Sequence, residues 1–315
     1  MCSTHRVTFR PRAGAFAVFT AVAIVAGRMA AAPREAPGAA AAPPAIETAI
    51  EITYIANEGF LISGANRKVL IDGIFTEGFG RFESPSAEVL RQERDALPPF
   101  DHVDALLVTH YHPDHINPAD VVRHLANDPQ AVLIGPPQVG DLLQAVDGAA
   151  GIARQIRVVS PRPGEIAGSS VRDFRVKSMV LPHLNDAEGK HQNLGFLLHL
   201  GGFTLLHVGD AGVGAPALFE ELKLAGENID IAFLNCYWFD DGNLATARKV
   251  IAYLKPKAIL LMHQGAKQAG HYRELLGKQP DLPPVYLADS PMQTMRYRLH
   301  GGVLVTDLRP AGGRP

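Results

Sequence analysis

Hydrophobic and polar positions along the chain fall into two rhythms, one suited to strands and one to helices. Ile50–Ala56, Gly59–Ser63 and Lys68–Ile71 are short runs rich in Ile, Val, Leu and aromatic side chains, and they predict three consecutive strands. Residues 76–101 are polar, carry Pro85, Pro98 and Pro99, and predict one helix between Pro85 and Ala96. Ala105–Thr109 is a continuous apolar run of the kind a strand covered on both faces requires. Pro118–Ala126 then predicts a helix, with Asn117 as N-cap and Pro118 at its first position.

Further along, Leu194–Leu200 and Phe203–Val208 flank Gly201-Gly202 and predict a hairpin, because a tight two-residue turn needs positive φ at both positions. Ile229–Leu234 predicts a strand, Leu244–Leu254 an amphipathic helix ended before Pro256, and Lys257–Met262 another strand. A short helix over His271–Gly277 and a strand over Val303–Leu308 complete the pattern. Strands grouped early, then αβ alternation, then strands and helices again imply two sheets layered between helices. No linker interrupts the body, so one domain is expected over residues 47–309, followed by a tail at 310–315.

The start of the chain follows a different rule. His5, Arg6, Arg10 and Arg12 precede Ala13–Gly27, which carries no charge, and Ala30–Ala45 is rich in Ala and Pro. That order predicts a signal peptide over residues 1–27 and a linker over 28–46. The apolar run is short for a membrane span, so the mature chain is expected to have no transmembrane domain. Export to the periplasm or the medium follows as the expectation, with an uncleaved membrane anchor as the alternative.

Composition narrows the chemistry. The 315 residues are 47% hydrophobic and 20% charged, a globular balance. Thirty basic against thirty-two acidic residues give a net charge of −2, so no general field would hold nucleic acid. The two cysteines, Cys2 and Cys236, exclude a disulfide scaffold and a Cys-based zinc finger. Histidine is the abundant ligand type, with thirteen residues.

Those histidines concentrate in Thr109-His110-Tyr111-His112-Pro113-Asp114-His115, directly after the predicted buried strand. His110 and His112 are two apart, so an extended backbone sends both rings to one side. Asp114 and His115 follow as the chain bends towards the helix at Pro118. Imidazole nitrogen and carboxylate oxygen suit Zn²⁺ and similar first-row ions, and four such groups at a strand end can converge on two of them.

This motif resembles the metallo-β-lactamase-fold hydrolases, and the resemblance covers most of residues 50–309. It implies a four-layer αββα sandwich of the α/β (α+β) class. It also implies further ligands at later strand ends: His183 in Val180-Leu-Pro-His183, Asp210 in Leu205-Leu-His-Val-Gly-Asp210 and His263 in Ile259-Leu-Leu-Met-His263. On that resemblance His110, His112 and His183 hold one divalent ion, and Asp114, His115 and His263 the other. Asp210 bridges them, and a shared hydroxide is the nucleophile that Asp114 orients. Asp72 in Val69-Leu-Ile-Asp72 takes the place of an early aspartate that supports the ligands. Two ions are implied, Zn²⁺ by default with Mn²⁺ and Fe²⁺ open.

Within the family, Glu58-Gly-Phe-Leu-Ile62, Val69-Leu-Ile-Asp-Gly73 and Asn193-Leu-Gly-Phe-Leu197 look closest to the lactonase and phospholipase-D-like branch. The expected reaction is hydrolysis of an ester, lactone or phosphodiester bond in a small molecule or lipid. A nuclease or phosphodiesterase acting on nucleotides, and a non-catalytic metal-binding protein, are the alternatives. Tyr237 and Trp238 in Asn235–Asp241, and His191 after His183, are candidate substrate contacts. His207 sits within a strand and reads as structural.

Overall fold

The first three strands form as β1 (Thr48–Ala56), β2 (Gly59–Gly64) and β3 (Arg67–Ile71), paired antiparallel in sequence order. The computed structural model describes residues 48–214, 216–265 and 267–308. The signal peptide and linker expected over 1–27 and 28–46, and the tail at 310–315, lie outside the described residues. The helix expected after Pro85 is α1 (Ala87–Arg94), capped by Ser86, whose Oγ accepts from the Val89 amide at 3.3 Å. β4 (Ala105–Leu107) follows, then α2 (Pro118–Asn127), whose N-cap Asn117 accepts from the Asp120 amide at 3.1 Å through Oδ1. β5 (Val132–Gly135), α3 (Pro137–Gln144), α4 (Ala149–Ile152) and β6 (Ile156–Val158) complete the first half.

A second sheet opens with β7 (Ile166–Val171), β8 (Phe174–Val180), β9 (Leu194–Leu200) and β10 (Phe203–His207). The β9–β10 turn has Gly201 at φ 57° and Gly202 at φ 83°, as the glycine pair demanded. After α5 (Pro216–Glu221) come β11 (Ile231–Asn235), α6 (Leu244–Leu254), β12 (Ala258–Met262), α7 (Ala269–Gly277) and β13 (Val285–Tyr286). β14 (Thr294–His300) and β15 (Val303–Thr306) return to the first sheet beside β1. The eight-stranded order is β15-β14-β1-β2-β3-β4-β5-β6, and the seven-stranded order is β13-β12-β11-β10-β9-β8-β7.

Strand alternation explains the layering. Phe60 and Ile62 of β2, Val69 and Ile71 of β3, and Ala105 and Leu107 of β4 face the second sheet. Their neighbours Leu61, Leu70 and Leu106 face the other way and pack under Val121, Val122 and Leu125 of α2 and Val139 and Leu143 of α3. A strand covered on both sides needs apolar residues at every position, which is why Ala105–Leu107 reads as an unbroken run. The second sheet is covered outside by Ala247, Val250, Ile251 and Leu254 of α6. The result is the αββα sandwich.

β4 stops two residues short of the predicted Ala105–Thr109. The Thr109 amide leaves the ladder and donates to the Asp72 carboxylate at 2.8 Å, so the strand ends where its side-chain chemistry begins. Among the described residues, no helix is long and apolar enough to cross a membrane.

Candidate metal centre

The His110–His115 segment is fixed by the strand beside it. Asp72 follows β3 with φ 43°, and β3 runs parallel to β4, so its carboxylate faces the end of the neighbouring strand. Asp72 Oδ2 accepts from Thr109 Oγ1 at 2.6 Å and lies 3.0 Å from His115 Nδ1. Thr109 Oγ1 is in turn 3.0 Å from His110 Nδ1. Both rings are thus held by the nitrogen that points away from the cluster, leaving Nε2 for a ligand role. The His115 and Ile116 amides donate to the His112 carbonyl at 3.0 and 3.1 Å, which turns the chain and brings Asp114 and His115 back over the sheet end.

The remaining donors come from strand ends of the second sheet. His183 lies after β8, with Nδ1 directed at the Leu184 carbonyl at 2.7 Å. Asp210 lies after β10, and His263 directly after β12 with φ 60°. The Asp210 carboxylate stands between two sets of rings. Its Oδ2 is 3.3 Å from His183 Nε2 and 3.8 Å from His110 Nε2. Its Oδ1 is 3.1 Å from His263 Nε2 and 3.4 Å from His115 Nε2. His112 Nδ1 joins the first set, 3.0 Å from His110 Nε2. Ligand atoms of His110, His112, His183 and Asp210 lie within 4.8 Å of one another, as do those of Asp114, His115 and His263.

The donor set fits a cation. His115 Nε2, His183 Nε2 and Asp210 Oδ1 are buried with no hydrogen-bond partner, a condition that folded proteins rarely leave uncompensated. Burial, then the facing His115, pushes His110 well below its ordinary pKa. Burial and the rings of His183 and His191 bring His112 down to about 4, so both imidazoles are neutral and ligand-competent at pH 7. Burial pulls the other way on Asp210, yet His263 and His115 hold its carboxyl well below the usual range. His115 is raised by Asp210 and Asp72 against the same burial.

Several polar side chains that sequence reasoning left unassigned hold this frame. Asn193, fully buried, donates to the Leu181 and Val208 carbonyls at 3.0 and 3.1 Å and accepts from the Asp210 amide at 3.1 Å. Asn57 donates to Asp114 Oδ2 at 3.3 Å. Glu58 is fully buried, both carboxylate oxygens lack a partner, and one of them is 3.8 Å from His115 Nδ1. Burial, then the Asp210 charge, pushes its pKa well above the ordinary value. The signal for all three was a polar residue abutting an apolar strand, which the alternation pattern marks as buried. His207, read as structural, has Nε2 at 3.2 Å from the Glu58 carbonyl and accepts from the Gly209 amide.

The three candidate substrate contacts separate. His191 stands at the rim, its ring 4.7 Å from that of His112 and 4.9 Å from that of His183, with Nδ1 3.1 Å from Tyr111 Oη. The Tyr237 ring lies 5.5 Å from that of His263, but its hydroxyl is engaged by Asn235 and the Ala211 carbonyl. Trp238 corrects the expectation: it is 0% exposed, packs on Phe219, and donates to the Ala211 carbonyl at 2.8 Å. A side chain of that size is drawn into the core, and it braces the segment after Asp210 instead of meeting a substrate.

All seven candidate donors fall inside residues 67–264, the part of the chain that matches the beta-lactamase superfamily domain. The chain belongs to the beta-lactamase superfamily. A superfamily relative, a UPF0173 metal-dependent hydrolase of Anoxybacillus flavithermus, is 31% identical over 175 residues, covering 51% of this chain and 68% of the relative. Among solved structures, a metallo hydrolase of Ignicoccus hospitalis superposes with a TM-score of 0.56 at 18% identity, covering 79% of this chain and 98% of that one. The metallo-β-lactamase fold protein YhfI of Bacillus subtilis gives 0.54 at 13% identity, covering 79% and 99%. At those identities the likeness carries the fold, and the fold of this superfamily protein is the metallo-β-lactamase sandwich.

Proposed function

We propose that this protein is a metal-dependent hydrolase with a dinuclear centre, cleaving an ester, lactone or phosphodiester bond of a small molecule or lipid. The observation that carries this reading is the divided Asp210 carboxylate, with one oxygen facing His110 and His183 and the other facing His115 and His263. In this reading His110, His112 and His183 hold one ion, Asp114, His115 and His263 hold the other, and Asp210 serves both. A set of imidazoles and carboxylates without thiolate suits Zn²⁺ first, with Mn²⁺ and Fe²⁺ as alternatives. Bound there, the ions supply Lewis-acid polarisation of the substrate oxygen and acidify a water.

The chain's own residues supply the rest. Asp114 accepts the proton of the attacking water at its carboxylate and returns it to the leaving oxygen, while Asn57 holds that carboxylate in place. Asp72 keeps His115 and Thr109 oriented. Tyr111 and His191 present polar atoms to the substrate at the rim. The basic start followed by an uncharged run over residues 1–27 supports delivery of the enzyme outside the cytoplasm.

Elemental analysis of the purified chain, combined with a panel of a lactone, a carboxylic ester and bis-p-nitrophenyl phosphate, tests the reading. Two ions per chain and turnover of at least one class are expected. A folded protein that takes up no metal at neutral pH overturns it.

A further inference from the structure

A cavity of about 310 Å³ opens beside the metal centre, with His183 and His191 on its wall. Five prolines line it, Pro136, Pro137, Pro161, Pro163 and Pro182, and Val159, Val180 and Leu194 form its apolar floor. Its volume is at the small end of ligand pockets. The rings of His183 and His191 stand 4.9 Å apart, so the wall of the cavity and the edge of the donor cluster are the same side chains.

The cavity is built, not incidental. Gln138 at the start of α3 and Gln192 clasp each other, each backbone amide donating to the other's side-chain oxygen at 3.0 and 2.8 Å. Gln138 Nε2 also donates to the Lys190 carbonyl at 2.7 Å. Asp186, the carboxylate on the lining, accepts from the Lys190 amide at 3.0 Å through Oδ1 and from the His191 amide at 2.7 Å through Oδ2. Both of its oxygens are therefore committed to backbone. No Lys or Arg lies among the described lining residues, so the cavity offers no side-chain cation to an anionic group. Proline rings lose almost no conformational freedom when a ligand packs on them, which favours an apolar guest in a preformed space.

We infer that this cavity is the specificity pocket of the proposed hydrolase and takes a short, neutral aliphatic group of the substrate, placing the scissile bond at His183 and His191. The inference rests on the hydrolase reading for its word substrate, and on the cavity alone for its ligand chemistry. The charged or polar part of the substrate faces the donor cluster, and the aliphatic part enters between the prolines.

The test uses non-hydrolysable N-alkylacetamides, from methyl to octyl, titrated calorimetrically into the metal-reconstituted full chain. The expected Kd falls about fourfold per added methylene, the factor equivalent to ~0.8 kcal/mol per buried CH₂, until the cavity is full, and then levels off. Val159→Trp fills the floor and Ser160→Trp, at an exposed lining position, narrows the mouth. In each, the gain between butyl and hexyl should shrink below about twofold. Circular dichroism reports whether each variant folds, and Ser160→Trp decides the matter if Val159→Trp does not. A Kd independent of chain length in the parent protein, or a full chain-length gain in the folded variants, overturns the pocket. Turnover of the lactone, ester and phosphodiester panel on the same preparation separates the two readings. Chain-length binding without any turnover sinks the hydrolase and leaves the cavity's preference standing; turnover without chain-length binding does the reverse.

Discussion

Asp72 grips Thr109 at two points, accepting its backbone amide through Oδ1 at 2.8 Å and its hydroxyl through Oδ2 at 2.6 Å. The same Oδ2 reaches His115 Nδ1 at 3.0 Å, so one carboxylate sets both the end of β4 and the facing of a candidate ligand. Asp72→Asn replaces one acceptor oxygen by a donor and breaks at least one of these contacts. Metal affinity, measured by chelator competition, should fall by about 10–100-fold with the fold retained. An affinity equal to that of the parent would show that Asp72 only braces the turn.

Asp210→Ala removes the carboxylate shared by the two sets of rings. The variant should bind fewer ions by elemental analysis and lose turnover by orders of magnitude, with circular dichroism unchanged. Chelation of the parent protein should abolish activity and lower Tm, since an ion bound only to the folded chain stabilises it by mass action. Re-addition of Zn²⁺ or Mn²⁺ should restore both. Activity that survives exhaustive chelation contradicts a metal-dependent reaction.

Gly209 adopts φ 57°, and a Cβ there would lie 2.3 Å from Asn193 Oδ1 and 2.8 Å from Thr109 Cβ. Asn193 Oδ1 is the atom that receives the Asp210 amide. Gly209→Ala should therefore lower stability by about 1–3 kcal/mol in urea unfolding and reduce metal content together, because the clash pushes on the anchor of Asp210. Loss of one without the other would uncouple the glycine from the site.

Glu93, on α1, is buried with both carboxylate oxygens unpartnered, and burial, then the Asp120 charge, raises its pKa well above the ordinary value. The folded state then holds this proton more tightly than the unfolded chain. Its stabilising contribution is complete below the unfolded-state pKa and is lost as pH rises through the folded-state pKa. Glu93→Gln removes that titration. The variant should gain on the parent protein between pH 4 and pH 8, read as the difference in urea midpoint at each pH. A constant difference across the range would mean that Glu93 titrates alike in the folded and unfolded chain.

The layering of two sheets and the His110–His115 cluster were legible because both depend on short-range regularities, whereas His183, Asp210 and His263 rested on the family resemblance alone. Phe60, Leu61 and Ile62 alternate faces whatever their partners, and His110 and His112 share a side by spacing alone. β5, β6, β7, β8, β13 and β14 were not among the predicted strands; of these, β6 and β7 end their sheets, where Arg157 and Val158 are exposed and Gly168, Ser169 and Ser170 need no apolar cover. Asn57, Glu58 and Asn193 were illegible as site residues for another reason. A polar residue beside an apolar strand signals burial, but the site neighbours Asp114, His115 and Asp210 lie 57, 57 and 17 positions away, and no local pattern announces which they are. An aromatic side chain after a strand looks the same in sequence whether it lines a cavity or, as Trp238 does, fills a core.

The candidate donors divide between the two sheets: His110, His112, Asp114 and His115 follow β4, whereas His183, Asp210 and His263 follow β8, β10 and β12. Order of synthesis then matters. A ribosome delivers the whole first group before any of the second, and His263 is the last of the seven to emerge. Until that point the growing chain carries His110, His112, Asp114 and His115 without the donors that complete either group. If the proposed centre forms only on the folded chain, it has to wait for β12 to pair with β11, because only then does His263 stand beside the donors that follow β4.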